Sequence, residues 1–219
     1  MQAEIRGGSA FSYIDIELEP GESVIAESDA MSSMDARLGL RAILNGGLWR
    51  ALLRKFLGGE TLFVSRFSND GDNSARLTLV QPTPGEITCE HLQGGSLLLQ
   101  PGAFLACETG VTLGLQWAGL VSWIAGEGLF RLVVSGNGKV WYGAYGALLT
   151  REIDGEAIVD SGHLVAYDPT IKLRLQLAAG LFSSFFGGEG LVTRVQGKGR
   201  VIIQTRSIGG LTRWVNPKL

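Results

Sequence analysis

A two-part unit occurs three times along this chain of 219 residues, and no other feature constrains the fold as strongly. Its first element, an apolar run followed by a polar turn and another apolar residue, occupies residues 22–31, 95–104 and 155–164. Its second element is a glycine–glutamate pair followed by apolar residues. The turn and the glutamate are separated by 31, 25 and 27 positions, from Asp29 to Glu60, from Gly102 to Glu127 and from Gly162 to Glu189. This self-similarity predicts a single domain over residues 1–219, with copies at approximately 11–76, 87–148 and 149–206.

Glycine-rich turn signals between β-branched stretches predict an all-β fold. The chain has 32 glycines but only 6 prolines, a composition that suits many short strands joined by tight turns. We interpret Gly136-Asn-Gly138 and Gly197-Lys-Gly199 as hairpin turns, because glycine adopts positive φ at little cost. In the first copy, the longer stretch 68–72 is expected to take the place of this turn. The repeat also predicts a set of turn residues, namely Glu60, Glu127, Glu189, Gly102 and Gly162.

An apolar segment precedes the glutamate element in each copy. In the first copy, residues 48–57 are predicted to form an amphipathic helix that is basic on the face opposite its leucines. The corresponding segments of the other copies are 117–124 and 177–186. If a pseudo-threefold axis relates the copies, these segments cluster at one end of the molecule as an apolar contact surface. The candidate residues of this surface are Trp49, Leu52, Phe56, Trp123, Phe182 and Phe186.

Charge and composition narrow the class of partner and the compartment. Nineteen basic and twenty-one acidic residues give a net charge of −2, so no global basic field exists to attract nucleic acid. Residues 1–19 lack an apolar stretch of signal-peptide length, and no apolar run reaches the roughly 20 residues that a spanning helix needs. A cytoplasmic location is therefore expected. In that compartment, Cys89 and Cys107 are expected to be free thiols.

The sequence contains no pattern that predicts a catalytic, cofactor or metal site. A cupin-like metal site needs more histidines than His91 and His163, and His163 occupies a turn position of the repeat. The spacing of Cys89 and His91 is tighter than zinc sites use. Alternation instead places these two residues on one strand face with Ile87, where packing explains them. The symmetric glutamates favour turn roles, and neither a nucleophile elbow nor a phosphate-binding loop occurs. We therefore expect a protein that is not an enzyme and has no cofactor.

The repeat motifs resemble those of the altered-inheritance-of-mitochondria family of mitochondrial biogenesis proteins, whose bacterial members have no known function. The resemblance spans nearly the whole chain. It is carried by Leu18-Glu-Pro-Gly-Glu-Ser-Val24, the Gly-Gly-Glu elements at Glu60 and Glu189, Asp160-Ser-Gly-His-Leu-Val-Ala166 and Gly197-Lys-Gly-Arg-Val-Ile-Ile-Gln204. It implies a double-stranded β-helix similar in topology to the trp RNA-binding attenuation protein, a pseudo-threefold arrangement and homo-oligomers. The chain departs from the family pattern at Asp29, where glycine is expected.

Two classes of function follow from these observations. The first is a non-enzymatic, self-assembling scaffold or binding module, expected to be a trimer, whose apolar segments contact another subunit, a protein partner or an anionic membrane surface. The second is a regulator that binds a small ligand or RNA; a basic stripe or an open polar pocket would favour it. An enzyme that uses a single glutamate in a closed pocket is a third hypothesis.

Overall fold

The computed structural model describes residues 1–43, 64–100, 102–117, 130–177 and 191–216. Over these residues the protein consists of antiparallel β-sheets and one short helix, which confirms the predicted all-β class. The helix α1 spans Ile208–Val215.

The first part of the chain forms short strands. They are β1 (Gln2–Arg6), β2 (Tyr13–Leu18), β3 (Ser23–Glu27), β4 (Met31–Met34), β5 (Gly39–Ile43), β6 (Val64–Ser68) and β7 (Ala75–Val80). Alternation along β2 buries Ile14, Ile16 and Leu18 while the residues between them stay half-exposed. This period of two is what a sheet with one buried face requires.

The rest of the chain alternates long strands with short ones. They are β8 (Ile87–Leu99), β9 (Phe104–Glu108), β10 (Val111–Trp117), β11 (Phe130–Gly143), β12 (Leu148–Asp160), β13 (Leu164–Tyr167), β14 (Lys172–Leu177) and β15 (Leu191–Gln204). Strands β8 and β12 have 13 residues each, and β11 and β15 have 14. Each long strand therefore occupies the place of two short strands in the first part of the chain.

Two sheets result from the pairing. One has four strands in the order β1-β2-β7-β4. The other has eleven: nine follow the order β12-β15-β13-β8-β11-β9-β3-β6-β5, while β10 pairs with β11 and β14 pairs with β15. A buried core joins the two sheets and contains Ile14, Leu77, Phe67 and Trp141. Two further cores lie within the larger sheet, around Leu97 and Val134 and around Val195 and Val201.

The two predicted hairpin turns are wrong. The chain runs through Gly136 and Gly197 as single strands, β11 and β15, with φ of +115° and +140° at these glycines. A Cβ at either position would lie 2.5 Å from a backbone carbonyl oxygen, that of Gly110 or of Thr170. Positive φ is therefore used to bring a neighbouring loop close to the strand, and not to reverse the chain. In the first copy, residues 69–74 do separate β6 from β7.

Candidate interaction surface

All six residues predicted to form the contact surface lie outside the described residues. These are Trp49, Leu52, Phe56, Trp123, Phe182 and Phe186, together with the predicted helix at 48–57 and the turn residues Glu60, Glu127 and Glu189. The described strands show where these segments leave and re-enter the sheet. Each segment connects two paired strands, whose last pairs are Ile43 with Val64, Trp117 with Phe130 and Leu177 with Leu191.

The two predicted turn residues within the described chain differ in conformation. Gly102 has φ of +79° in the turn between β8 and β9, where the amide of Ala103 donates to the Gln100 carbonyl. Gly162 lies in a 3-10 turn before β13, and its amide donates to Oδ1 of Asp160 at 2.9 Å. Glycine's positive φ is therefore used at Gly102 but not at Gly162.

His163 has a structural contact. It belongs to the same 3-10 turn, and its Nδ1 lies 2.7 Å from the carbonyl oxygen of Gln204 on β15. A carbonyl only accepts, so Nδ1 donates and His163 fastens this turn to the neighbouring strand. The side-chain amide of Gln204 donates in turn to the carbonyl of Gly162 at 3.0 Å. This contact gives His163 a structural explanation.

The cysteines and His91 do not converge on a site. Both cysteines are free thiols; Cys89 is exposed, whereas Cys107 is buried between its strand partners Val140 and Ile25. Burial raises the pKa of the Cys107 thiol to about 12. His91 is exposed on β8, so packing does not account for Cys89 and His91 as we expected. Within the described ranges, no three His, Cys, Asp or Glu side chains are grouped as metal ligands.

A recurring acidic contact was not predicted from the sequence. The carboxylates of Asp35, Glu108 and Asp168 each accept a hydrogen bond from one backbone amide, at 2.8, 2.9 and 2.7 Å. The donors are the amides of three basic residues, Arg76, Lys139 and Arg200. Each acidic residue lies six positions after the aligned turn residue at 29, 102 or 162. This regular spacing is the sequence signal from which the contact could have been predicted. These carboxylates hold the end of one strand against the next.

Arg200 links the last two copies through a cluster of polar groups. Its Nη2 lies 2.7 Å from Oε1 of Glu90 and 2.9 Å from Oδ1 of Asp168. The Tyr142 hydroxyl donates to the other oxygen of Glu90 at 3.5 Å. Burial, and then the Glu90 charge, raise the pKa of Tyr142. Hydrogen bonds to Glu90 and Asp168 raise the pKa of Arg200. Each charge has a partner of opposite sign, which suits a clamp between strands.

Strand β12 exposes two large apolar side chains. Ile158 is 61% exposed, and Leu149 on the same strand is also exposed. Among the described strands, β12 pairs with β15 alone, and β4 pairs with β7 alone. Ser32 and Ser33 of β4 are exposed, whereas every residue of β13 is buried. Strands β12 and β4 therefore each present one edge that has no partner among the described strands.

Helix α1 presents an apolar face to solvent. Ile208, Leu211, Trp214 and Val215 fall within about one third of the helix circumference, and Trp214 is 80% exposed. The Ser207 hydroxyl caps the helix by accepting from the amide of Gly210 at 3.1 Å. None of the residues of α1 is buried. In the part of the chain that the structure describes, no helix is long and apolar enough to cross a membrane.

An open groove lies beside the exposed edge of β4. It has a volume of about 450 Å³, and its lining includes Phe11, Tyr13, Ser32, Gln81 and Pro82. The amide of Gln81 is already engaged, because it donates to the Ala144 carbonyl at 2.9 Å. The lining contains no Asp, Glu, Lys, Arg, His or Cys. The lining therefore offers its hydroxyl groups, such as those of Tyr13 and Ser32, no histidine or carboxylate that could activate them as nucleophiles.

Comparisons with known proteins agree with this architecture. The family model described as Mitochondrial biogenesis AIM24 matches residues 3–206. An uncharacterised protein of Streptococcus pyogenes serotype M6 is 28% identical over 217 residues, which cover 95% of this chain and 87% of that protein. A crystal structure of a Streptococcus pyogenes protein is similar with a TM-score of 0.81 at 24% identity, covering 100% of this chain and 99% of the other. This structural similarity shows a shared fold.

Proposed function

This chain belongs to the mitochondrial biogenesis AIM24 family, as its motifs indicated, and from this premise we propose that it is a non-enzymatic scaffold that assembles with itself. The observation that carries the proposal is the exposed apolar edge of β12. An isoleucine with 61% exposure on a strand that has one unpaired edge is a known risk for uncontrolled pairing. Burial of this edge in an assembly removes that risk.

The scaffold consists of three structural copies in a TRAP-like arrangement. Supporting this, the same kinds of strand pair recur in each copy. For example, the pairs β5 with β6, β10 with β11 and β14 with β15 each flank one apolar segment. The acidic contacts of Asp35, Glu108 and Asp168 recur at the same place. With three related copies, most of the chain serves to build the framework.

The polar groups described above support a structural role over a catalytic one. Glu108 and Asp168 are engaged by backbone amides, and Arg200 forms ion pairs with both Glu90 and Asp168. General acid–base catalysis needs a titratable group that can reach a substrate proton. Groups already committed to strand-to-strand contacts are poorly placed for that task. The groove beside β4 favours, at most, a small neutral ligand, the second class of function that we considered.

Light scattering coupled to size exclusion tests the self-assembly directly. We expect the full chain to elute as a trimer or a larger ring over a wide range of concentrations. A chain that remains monomeric at the highest concentration reached would contradict the scaffold proposal. Dilution series distinguish a reversible assembly from aggregation, since only the former dissociates to a defined smaller species.

Helix α1 favours a second role for the scaffold, adsorption to the anionic face of a membrane in the cytoplasm. Residues 201–219, which include α1, contain three basic and no acidic residues, whereas the whole chain has a net charge of −2. Basic residues near such a surface contribute about 1 kcal/mol each, and a tryptophan on an amphipathic helix sits well at the lipid interface. The contact predicted at residues 48–57 lies outside the described residues.

Vesicle co-sedimentation tests this second role. We expect the chain to bind vesicles of phosphatidylserine and phosphatidylcholine, but not phosphatidylcholine alone. Trp214→Ala should weaken binding, whereas Phe11→Ala, which removes another exposed aromatic side chain elsewhere on the surface, should not. Equal binding by both variants, or no salt dependence, would count against the helix as the docking element.

A further inference from the structure

Two strand junctions connect successive copies within the chain. At the first, β3 pairs with β9, and Ile25 lies opposite Cys107. At the second, β8 pairs with β13, and Leu98 lies opposite Tyr167. Ile25 and Leu98 are aligned positions of the repeat, as are Cys107 and Tyr167. The two junctions therefore have one register.

The same alignment identifies the two halves of a third junction. The position that corresponds to Ile25 and Leu98 is Ile158 on β12, and the position that corresponds to Cys107 and Tyr167 is Met34 on β4. Ile25 is 9% exposed and Leu98 is 5% exposed, but Ile158 is 61% exposed. The aligned residues thus differ because Ile25 and Leu98 each lie between two paired strands, whereas Ile158 is paired with β15 alone among the described strands.

Strand β4, which would accept β12, is less buried than the strands at the corresponding place in the other two copies. Both β9 and β13 are almost completely buried, whereas β4 has half-exposed and exposed residues throughout. Among the described strands, the chain's own β4 and β12 belong to different sheets and share no ladder. One chain therefore offers two different halves of the junction, and both lack a partner strand among the described residues.

We propose that residues 156–160 of β12 pair antiparallel with β4 of a second copy of this chain, in the register of the two internal junctions. The proposal rests on the self-assembly proposed above and names its interface. In this register Ile158 lies opposite Met34, and Val159 lies opposite Ser33.

This contact is head-to-tail, because each copy supplies β12 to one neighbour and β4 to another. Contacts of this kind form a ring when the rotation between copies closes, and a filament when it does not. The pairing would satisfy the backbone groups along both edges and would cover the Ile158 side chain. A two-fold dimer that joins β12 to β12 would leave β4 exposed, so the two arrangements predict different contacts.

Disulfide trapping between two separately made variants tests the register. Met34→Cys and Ile158→Cys are each prepared with Cys89→Ser, which removes the exposed native thiol. Directly opposed strand residues are close enough for a disulfide. Under mild oxidation, the mixture of the two variants should form covalent dimers on a non-reducing gel, and neither variant alone should. Leu149→Cys, an exposed position on the same strand outside the junction, serves as the control in place of Ile158→Cys.

The outcomes separate this inference from the proposal on which it rests. A wild-type oligomer whose mixed variants do not cross-link would overturn the junction but leave self-assembly intact. A wild-type monomer would overturn both. A double variant, with both cysteines in one chain, that forms an intramolecular disulfide without a change in mass would also overturn the junction.

A second variant tests the interface without new cysteines. Ile158→Lys should weaken association by about tenfold to a hundredfold, the fold-change expected for losing the burial of one isoleucine. Leu149→Lys, on the same strand, should leave association unchanged. Because Ile158 is exposed in the single chain, both variants should keep the wild-type circular dichroism spectrum. Equal association of the Ile158→Lys variant and the wild type would overturn the proposed pairing.

Discussion

A loop approaches β15 closely at Gly197, and the effect of this approach on stability can be measured by comparison with a matched glycine on the neighbouring strand. Gly197 and Gly155 are paired residues, with φ of +140° and +111°. A Cβ on Gly197 would lie 2.5 Å from the Thr170 carbonyl oxygen, which is 0.9 Å short of the 3.4 Å at which ordinary contact begins. A Cβ on Gly155 would meet nothing within 4 Å. Substitution by alanine therefore separates two costs, backbone strain and steric overlap.

Both alanine variants should lose stability, but by different amounts. The positive φ should cost about 1–2 kcal/mol in each, because an L-residue is strained in that region. Gly197→Ala should lose about 1–3 kcal/mol more, since the Thr170 carbonyl must move to make room. The free energy of unfolding, measured by urea denaturation with tryptophan fluorescence, reports both losses.

A third variant repeats the test in the preceding copy. Gly136→Ala should resemble Gly197→Ala, because its Cβ would lie 2.5 Å from the Gly110 carbonyl oxygen. If Gly155→Ala and Gly197→Ala lost equal stability, the overlap with Thr170 would have no energetic consequence. Our explanation for these glycines inside continuous strands would then fail.

Three further predictions concern side chains described above. In the native protein, Ellman's reagent should modify Cys89 but not Cys107, because the pKa of about 12 leaves the buried Cys107 almost no thiolate. Both thiols should react after unfolding. Rapid modification of Cys107 in the native protein would contradict its burial. The hydrogen bond from the backbone amide of Arg76 is the chief cause that lowers the pKa of Asp35 in the folded protein. The ionised Asp35 carboxylate therefore stabilises the fold at a pH above its unfolded pKa of about 3.9, and this contribution is lost as the pH falls through the lower folded pKa. The stability difference between the wild type and Asp35→Asn should therefore shrink on acidification, and a difference that grows would refute this sign. Gly209→Ala, which adds a methyl group in open space on α1, should slow hydrogen exchange in the helix by about fivefold, and faster exchange would contradict the assigned helix.

The repeat made the fold class predictable, because apolar alternation and regular turn signals recur over most of the chain. The same local signal misled us at Gly136 and Gly197. A glycine with positive φ serves a hairpin turn or a close approach equally well, and only the position of the neighbouring loop decides between them. The sequence alone does not contain that information.

The interaction surface could not be predicted for a different reason. The segment around Ile158 has the same apolar pattern as those around Ile25 and Leu98, and the pattern correctly indicates a strand. Its exposure depends on the absence of a second neighbouring strand among the described residues, which is a property of the topology. The contact of Asp168 was missed because one acidic residue before a turn is ordinary in isolation; it becomes informative only in comparison with Asp35 and Glu108.

The division of strands between the two sheets has a consequence for how the molecule opens. Long strands such as β11 and β15 carry their backbone ladders through the larger sheet without a break, whereas β2 and β7 belong to a separate sheet. Within the described chain, no strand ladder ties the four-stranded sheet to the rest, so apolar contacts such as those of Trp141 carry much of its attachment. Apolar attachment weakens on cooling, unlike a hydrogen-bonded ladder. Amides of the smaller sheet should therefore lose their protection from exchange first as the temperature approaches freezing, before the rest of the molecule unfolds.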